Sequence, residues 1–350
     1  MYMKKIAIFR ALYLGDMLLA VPALRAIRQR FPEAEISLIG LPWMEAFVHR
    51  LRGYVDRFVE FGGYSGIEEV EIIPERSQRF IKEQKAYGYD LVIQMHGSGC
   101  VSNAVVAALH GKETLGYYID DCGYTLTRGL PYPDDQPEVY RNLGLAKPLG
   151  CSKLDPQLEF PLFPEDQCEA AHLLQQLPRA DRPWIGIHTG AKMPVRRWSV
   201  EHFAQVADYF AETFQAQIIL TGSADEETTV QLAIEKMRIQ PLNIAGKTSL
   251  GGLAGVIREL DLFISNDTGP AHVANAVDTP SVTIFGPTDP QRWASLDVAR
   301  HPFLREPVMC SPCGFWECPI DHRCLRWVQP HKVIKVAEEL LLRGTVTCNV

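Results

Sequence analysis

The chain has 350 residues, with 35 Lys and Arg against 42 Asp and Glu, a formal charge of −7, and 47% hydrophobic residues. A chain of this size buries a core without disulfide or metal staples and is expected to form about two domains. The acidic balance argues against a general nucleic-acid binder and against attraction to anionic lipid over the whole surface, and the apolar content argues against disorder.

Short β-rich runs alternate with helical periodicity along the chain. Ile6 to Phe9 reads as a buried strand, followed from Asp16 by a helix carrying Met17, Val21, Leu24, Ile27 and Phe31 at spacings of three or four. Ile36 to Ile39 is the next strand and Pro42 to Leu51 the next helix. Strands are expected at Tyr54–Phe58, Leu91–Ile93 and Thr114–Leu115, with helices near Pro74–Gln84 and Gly99–Leu109. Prolines at 131, 133, 137, 148, 156, 161 and 164 break the rhythm, so residues 131–164 read as an inter-domain connection. The alternation restarts with a strand at Trp184–His188 and a helix at Ser199–Phe214. A strand at Gln217–Leu220, a helix at Asp225–Met237, a strand at Leu262–Ile264, a short helix at Pro270–Ala276 and a last strand at Ser281–Phe285 follow. An amphipathic helix over 330–342 carries Val333, Val336, Leu340 and Leu341. This is an α/β pattern with two parallel, doubly wound sheets, and ligands of such sheets bind beyond the carboxyl ends of the strands.

Residues 1–60 hold nine Lys and Arg against six Asp and Glu. A solvated surface explains this excess, and a mildly basic face for an anionic acceptor is the alternative. No run of eighteen apolar residues exists, and Arg10 and Asp16 interrupt the first apolar run before a signal-peptide core forms. The expectation is therefore a cytoplasmic protein with no transmembrane segment. Nine cysteines then read as free thiols or metal ligands.

Four loops after strands carry chemical content. Leu14-Gly15-Asp16 offers a tight turn and a carboxylate, either an N-cap or a general base. A helix start keeps such a carboxylate ionised but weakens it as a base. His188 to Ser199 holds Lys192, Arg196 and Arg197 before a Ser N-cap; these are solvated cations or phosphate ligands. Gly222-Ser223 leads into Asp225-Glu226-Glu227, which either complements the helix dipole or places Glu226 against ribose hydroxyls. In Ser265 to His272, polar caps and Gly269 lead into Pro270 at about the first helical turn, which exposes backbone N–H groups at a helix start, an anion site. Asp267 fits better beside a sugar than beside phosphate alone, and His272, one turn along, is structural or catalytic.

Missing signals count as well. Pro241 stands where a Walker A loop ending in Gly246-Lys247-Thr248 needs its first glycine. No Gly-x-Gly-x-x-Gly follows the first strand, and neither Asp-x-Asp nor Gly-x-Ser-x-Gly occurs. Cys310, Cys313, Cys318 and Cys324, with His322 among them, contain one Cys-x-x-Cys half-site. Structural zinc is one reading of that spacing, and free thiols packed against the domain are the other.

Taken in order, these motifs resemble glycosyltransferase family 9, the ADP-heptose lipopolysaccharide heptosyltransferases. The likeness runs from Ile6-Ala7-Ile8-Phe9-Arg10, Leu14-Gly15-Asp16 and Pro22-Ala23-Leu24 through Tyr89 to Ile93 with His96-Gly97. It continues through Arg197-Trp198, Gly222-Ser223 with Glu226, Asn266 to His272 and Phe285 to Pro290, and ends in the cysteine cluster. The resemblance implies a GT-B fold of two Rossmann-like domains facing a central cleft. It implies an acceptor domain over 1–163 and a nucleotide-sugar domain over 164–329, with a C-terminal helix over 330–343 returning to the first.

It also implies that Asp16 is the catalytic base, that Lys192 and Arg196 meet phosphate, and that Glu226 meets ribose. Asp267 would lie near the donor sugar, and Thr268 and Gly269 would form the diphosphate-binding helix start, with His272 beside them. The implied reaction is an inverting, metal-independent transfer from a nucleotide sugar, ADP-heptose, to an anionic glycan or glycolipid acceptor at the inner membrane face. No cofactor is expected. A nucleotide-sugar 2-epimerase of similar two-domain fold is one rival reading, and a non-enzymatic two-domain ligand-binding protein is another. Residues 62–66 and 117–140 match nothing assignable in the family.

Overall fold

The computed structural model describes residues 3–119, 126–177 and 182–347, with side chains through residue 343. The chain divides into two compact units, Met1–Pro161 and Leu162–Val350.

In the first unit the described elements are β1 (Lys5–Phe9), α1 (Leu14–Leu18), α2 (Val21–Arg30), β2 (Glu35–Gly40), α3 (Met44–Arg50), β3 (Arg57–Glu60), α4 (Pro74–Tyr87), β4 (Leu91–Gln94), α5 (Ser102–Ala108), β5 (Glu113–Tyr118), β6 (Arg128–Pro131) and α6 (Glu138–Ala146). The strands pair in parallel in the order β3-β2-β1-β4-β5-β6. Ile6, Ile8, Ile36, Leu38 and Leu91 to Ile93 are fully buried in it, as expected for strands covered on both faces.

The helix expected from Asp16 is two helices. Pro22 lacks an N–H and its ring crowds the carbonyl four residues back, so the chain breaks at Leu19-Ala20 and α2 restarts with Pro22 in its first turn. The connection expected over 131–164 is only partly one. Between Pro137 and Pro148 the sequence is free of proline, and α6 forms there with Val139, Leu143 and Leu145 buried, packed on α2. Three of the nine cations in residues 1–60 are buried or paired, while Lys4, Arg30 and Arg52 are exposed. Arg10 is buried, Arg28 pairs with Asp56, and Arg25 pairs with Asp155 and Glu159 at 3.4 and 3.3 Å.

The second unit runs α7 (Pro164–Leu174), β7 (Trp184–His188), α8 (Val200–Phe214), β8 (Gln217–Thr221), α9 (Glu227–Lys236), β9 (Leu242–Asn243), α10 (Leu250–Arg258), β10 (Leu262–Asn266), α11 (Gly269–Ala276), β11 (Ser281–Phe285), α12 (Pro290–Trp293), β12 (Phe303–Arg305), α13 (Arg323–Arg326) and α14 (Pro330–Thr347). Its parallel sheet has the order β12-β11-β10-β7-β8-β9. Counted from β7, this repeats the strand order of the first sheet. β11 is not the last strand, because β12 pairs beyond it through Thr283 and Phe303. Ser199 stands at the N-cap of α8 as expected, but its hydroxyl donates to Glu201 rather than capping the helix.

The C-terminal helix α14 contributes to the core of the second unit. Val333, Ala337, Leu340 and Leu341 are buried in one core with Ile264, Val282 and Phe210, and α14 packs on α8, β10 and β11. Its apolar stripe is matched by the second unit's own sheet, so the helix belongs to that unit.

Candidate active site

In each sheet the strand order reverses between its first and fourth strands, at β1/β4 in one and β7/β10 in the other. In doubly wound sheets the crevice beyond that reversal is where ligands bind. All the loops singled out in the sequence, save the one after β8, leave a strand at one of these two points.

In the first unit, Phe9 pairs with Gln94, so Arg10 and Ala11 run beside Met95 and His96. Asp16 lies in the first turn of α1, and Tyr13, not Asp16, is the N-cap. The N-cap therefore lies three positions before Asp16, and 22% of the Asp16 side chain is exposed. Arg10 Nη2 stands 3.9 Å from Asp16 Oδ1, and Arg10 Nε donates to the Asp16 carbonyl at 3.0 Å. His96 Nδ1 accepts from the Ala11 N–H at 3.2 Å, and its ring stacks on Phe9. Burial, then the Arg10 charge, hold His96 down at about 4. The imidazole is thus neutral at pH 7 and carries its proton on Nε2.

In the second unit, Ser265 pairs with His188, so the loops after β7 and β10 leave side by side. Asn266 ties them together. Its Oδ1 accepts from the Trp198 N–H at 2.9 Å, and its Nδ2 donates to the Thr189 and Gly190 carbonyls at 2.9 and 3.1 Å. Next to it, Asp267 is buried, accepts from the Thr288 hydroxyl at 2.5 Å, and faces Arg196 Nη1 at 3.7 Å. Two separate motifs, around Asp267 and around Thr288, thereby meet at one carboxylate.

Thr268 is the N-cap of α11 without a side-chain cap, so Thr268 and Gly269 leave the first turn's backbone donors to other partners. Arg196 Nε is buried and has no hydrogen-bond partner, as is the Thr189 hydroxyl. His272 is buried on α11 and lines a recess with Asp267, Asn275, Ser281, Thr283 and His301. Lys192 is exposed in the β7 loop.

Glu226 closes the group from β8. Its Oε2 accepts from the Ser223 N–H at 2.8 Å and hydroxyl at 3.0 Å, and lies 3.6 Å from His188 Nε2. The helix-start reading is therefore correct in form, since Ser223 and Glu226 make a capping box. Burial raises the Glu226 carboxyl, but the His188 imidazole and the Ser223 donors outweigh it and bring it down to about 2. It is ionised throughout the neutral range.

Sequence reasoning did not single out Glu138, Asn142, His188 or Thr288 as site residues. Glu138 and Asn142 lie in the proline-rich stretch, whereas Thr288 sits in the Phe285 to Pro290 motif. The cysteine-cluster segment bonds to the loops beside Arg196 and Thr288, through His322 Nε2 to the Val195 carbonyl at 2.6 Å and the Cys313 N–H to the Pro287 carbonyl at 2.9 Å. Cys310 is exposed, Cys313 and Cys318 are half-buried and Cys324 is buried. Burial, then the neighbouring thiols, push Cys324 up to about 11. Among the described residues no three His, Cys, Asp or Glu side chains are arranged to hold a metal ion, so the zinc reading of that spacing gains no support.

Two parallel six-stranded sheets of the same strand order, one in each unit, make this an α/β fold of the GT-B kind. The family model described as glycosyltransferase family 9 (heptosyltransferase) matches residues 77–322, and the chain belongs to that family. It is 26% identical over 347 residues to lipooligosaccharide heptosyltransferase 2 of Campylobacter jejuni, covering 96% of this chain and 98% of that one. Among solved structures, a family 9 glycosyltransferase from Veillonella parvula superposes with a TM-score of 0.82 at 23% identity, over 97% of this chain and 98% of that one. The Escherichia coli ADP-heptose lipopolysaccharide heptosyltransferase II superposes with a TM-score of 0.76 at 20% identity, over 98% and 100%.

Proposed function

We propose that this chain transfers a heptose from ADP-heptose to a lipopolysaccharide-core acceptor, with inversion and without a metal ion. The observation that carries the reading is the second crevice. A buried, unpartnered Arg196 Nε and an uncapped helix start stand at one sheet reversal, and an ionised Glu226 after β8 lies 3.6 Å from His188 at the end of β7. That set matches the charges of a nucleoside diphosphate sugar. The names of the relatives supply the sugar and the acceptor class.

In this reading Glu226 accepts hydrogen bonds from ribose hydroxyls. Thr268 and Gly269 N–H groups, Arg196 and Lys192 neutralise the diphosphate as it departs. Asp267, held by Thr288, accepts from a hydroxyl of the donor sugar, and His272 borders the same recess. Asp16 takes the proton from the acceptor hydroxyl as its oxygen attacks the anomeric carbon. The bond from that carbon to the diphosphate oxygen breaks with its electron pair going to ADP, so one displacement inverts the configuration. The first unit holds the acceptor and the second the donor. The reaction is set in the cytoplasm, with the acceptor met at the inner membrane face. Among the described residues no helix is long and apolar enough to cross a membrane.

The test is transfer from ADP-heptose to a lipopolysaccharide inner-core acceptor in excess EDTA. The rate is expected to stay within about twofold of the control, because the cations and helix start already offset the leaving group's charge. Complete loss, restored by a divalent ion, would sink the metal-free mechanism. An epimerised nucleotide sugar formed without acceptor would favour the 2-epimerase instead.

A second expectation concerns Gly190. A Cβ there would sit 2.1 Å from Glu226 Oε1 and 2.2 Å from its Cδ. In Gly190→Ala the flexible Glu226 side chain must swing away, so the fold survives and ADP affinity falls by about tenfold or more. Calorimetry with ADP reads this directly, and an unchanged Kd would show that Glu226 makes no nucleotide contact.

A further inference from the structure

Arg10 is only 1% exposed, an expensive place for a guanidinium unless every face is matched. The matching is unusually complete. Nη1 donates to the Met95 carbonyl and to Asn142 Oδ1, the latter at 3.0 Å, and Nη2 meets Glu138 Oε1 at 3.4 Å. The other Glu138 oxygen accepts from Arg141 Nη1 at 2.9 Å. Asn142 Nδ2 donates to the Leu19 carbonyl at 2.9 Å, so the side chain that holds Arg10 also fastens α6 to the end of α1. The result is a row of alternating charge, Arg141–Glu138–Arg10–Asp16. Its first three members are almost wholly buried, and only the last is partly open to solvent.

We infer that Arg10 is the positioning residue of Asp16, and that Glu138 on α6 sets how much of the Arg10 charge Asp16 feels. The inference rests on the proposed role of Asp16 as base. A cation 3.9 Å away favours the carboxylate form of Asp16. Glu138 competes for the same guanidinium and softens that effect. Other titratable groups facing this row are Tyr132, whose hydroxyl accepts from Arg141 Nη1 at 2.6 Å, Tyr117, whose hydroxyl donates to the Arg141 carbonyl at 2.7 Å, and His96 after β4, which is neutral at pH 7. Glu69 lies beyond His96, 3.9 Å from its Nε2.

The test compares wild type with Arg10→Met, Arg10→Lys, Glu138→Gln and Asp16→Asn by the pH dependence of kcat/KM. The assay is ADP release from ADP-heptose with an inner-core acceptor. Removing the cation is expected to move the acid limb up by about one pH unit in Arg10→Met, and removing its competitor is expected to move it down in Glu138→Gln. Arg10→Lys keeps the charge and is expected to restore the limb while leaving the rate below wild type, because an ammonium lacks the planar fork. If Arg10→Met does not fold, the isosteric Glu138→Gln and the charged Arg10→Lys still decide.

Opposite displacements in the Arg10→Met and Glu138→Gln variants support the inference, since a merely structural role lowers rates without moving the limb in two directions. Limbs that stay in place while Asp16→Asn is inactive would overturn the inference and leave the base assignment standing. Wild-type turnover in Asp16→Asn would instead remove the base assignment and the inference with it.

Discussion

Asp16→Asn is expected to lower kcat for heptose transfer by about 10²- to 10⁴-fold while leaving ADP affinity within about twofold. The magnitude is that of losing a positioned general base, and the selectivity follows from where the residue lies. Asp16 stands at the mouth of the first sheet, whereas the candidate nucleotide ligands Glu226, Arg196 and Gly269 all belong to the second unit. The substitution keeps the shape of the side chain, and the Arg10 bond to residue 16 runs to its backbone carbonyl, which the change does not touch. Single-turnover transfer and ADP calorimetry on the same preparation give the two numbers. Turnover within tenfold of wild type would place the base elsewhere.

The second large effect is on stability. Asn266→Ala deletes three hydrogen bonds at a fully buried position, leaving the Trp198 N–H and the Thr189 and Gly190 carbonyls without that partner. Net loss per bond is about 1 kcal/mol, and a buried group left unsatisfied costs about 1–3 kcal/mol, so a fall of about 3 kcal/mol is expected. The affected loops carry Arg196 and Gly190 on one side and Asp267 on the other, so donor binding should fall with stability. A urea titration of the full chain followed by circular dichroism, beside ADP calorimetry, checks both. An unshifted midpoint would show that the loops after β7 and β10 hold their places without Asn266.

The legible parts of the fold share one property: their signal is local and strong. β1, β7 and β11 are short apolar runs between turn residues, and α8 carries an apolar stripe of Phe203, Val206, Ala207 and Phe210. The missed elements are those whose residues look wrong in isolation. α10 holds Gly251, Gly252 and Gly255, a composition that disfavours a helix. Its glycines are there because α7 lies so close. A Cβ on Gly252 would meet Glu169 at 2.1 Å, and one on Gly255 would meet the Asp166 carbonyl at 2.8 Å. The edge strands β9 and β12 have two and three residues, too few to show a period.

The candidate site divides along the same line. Asp16, Glu226, Asp267, Thr268 and Gly269 each stand just after a strand or at a helix start, and strand ends and helix starts are written in adjacent residues. Their grouping is not. Arg10 reaches Met95 across 85 positions and Asn266 reaches Thr189 across 77, because the strand order carries β4 and β10 back beside β1 and β7. Nor could periodicity say which sheet receives the stripe of α14, since an apolar face fits any complementary one and is assigned only by the surface left uncovered. The sequence by itself determined two α/β halves and the loops that carry their chemistry, through short-range sterics and hydrophobic period. Only the tertiary structure decided that a buried Arg10 stands behind Asp16 and that Thr288 stands behind Asp267. Those partnerships depend on which strands become neighbours, and parallel pairing is settled by the packing of the whole sheet.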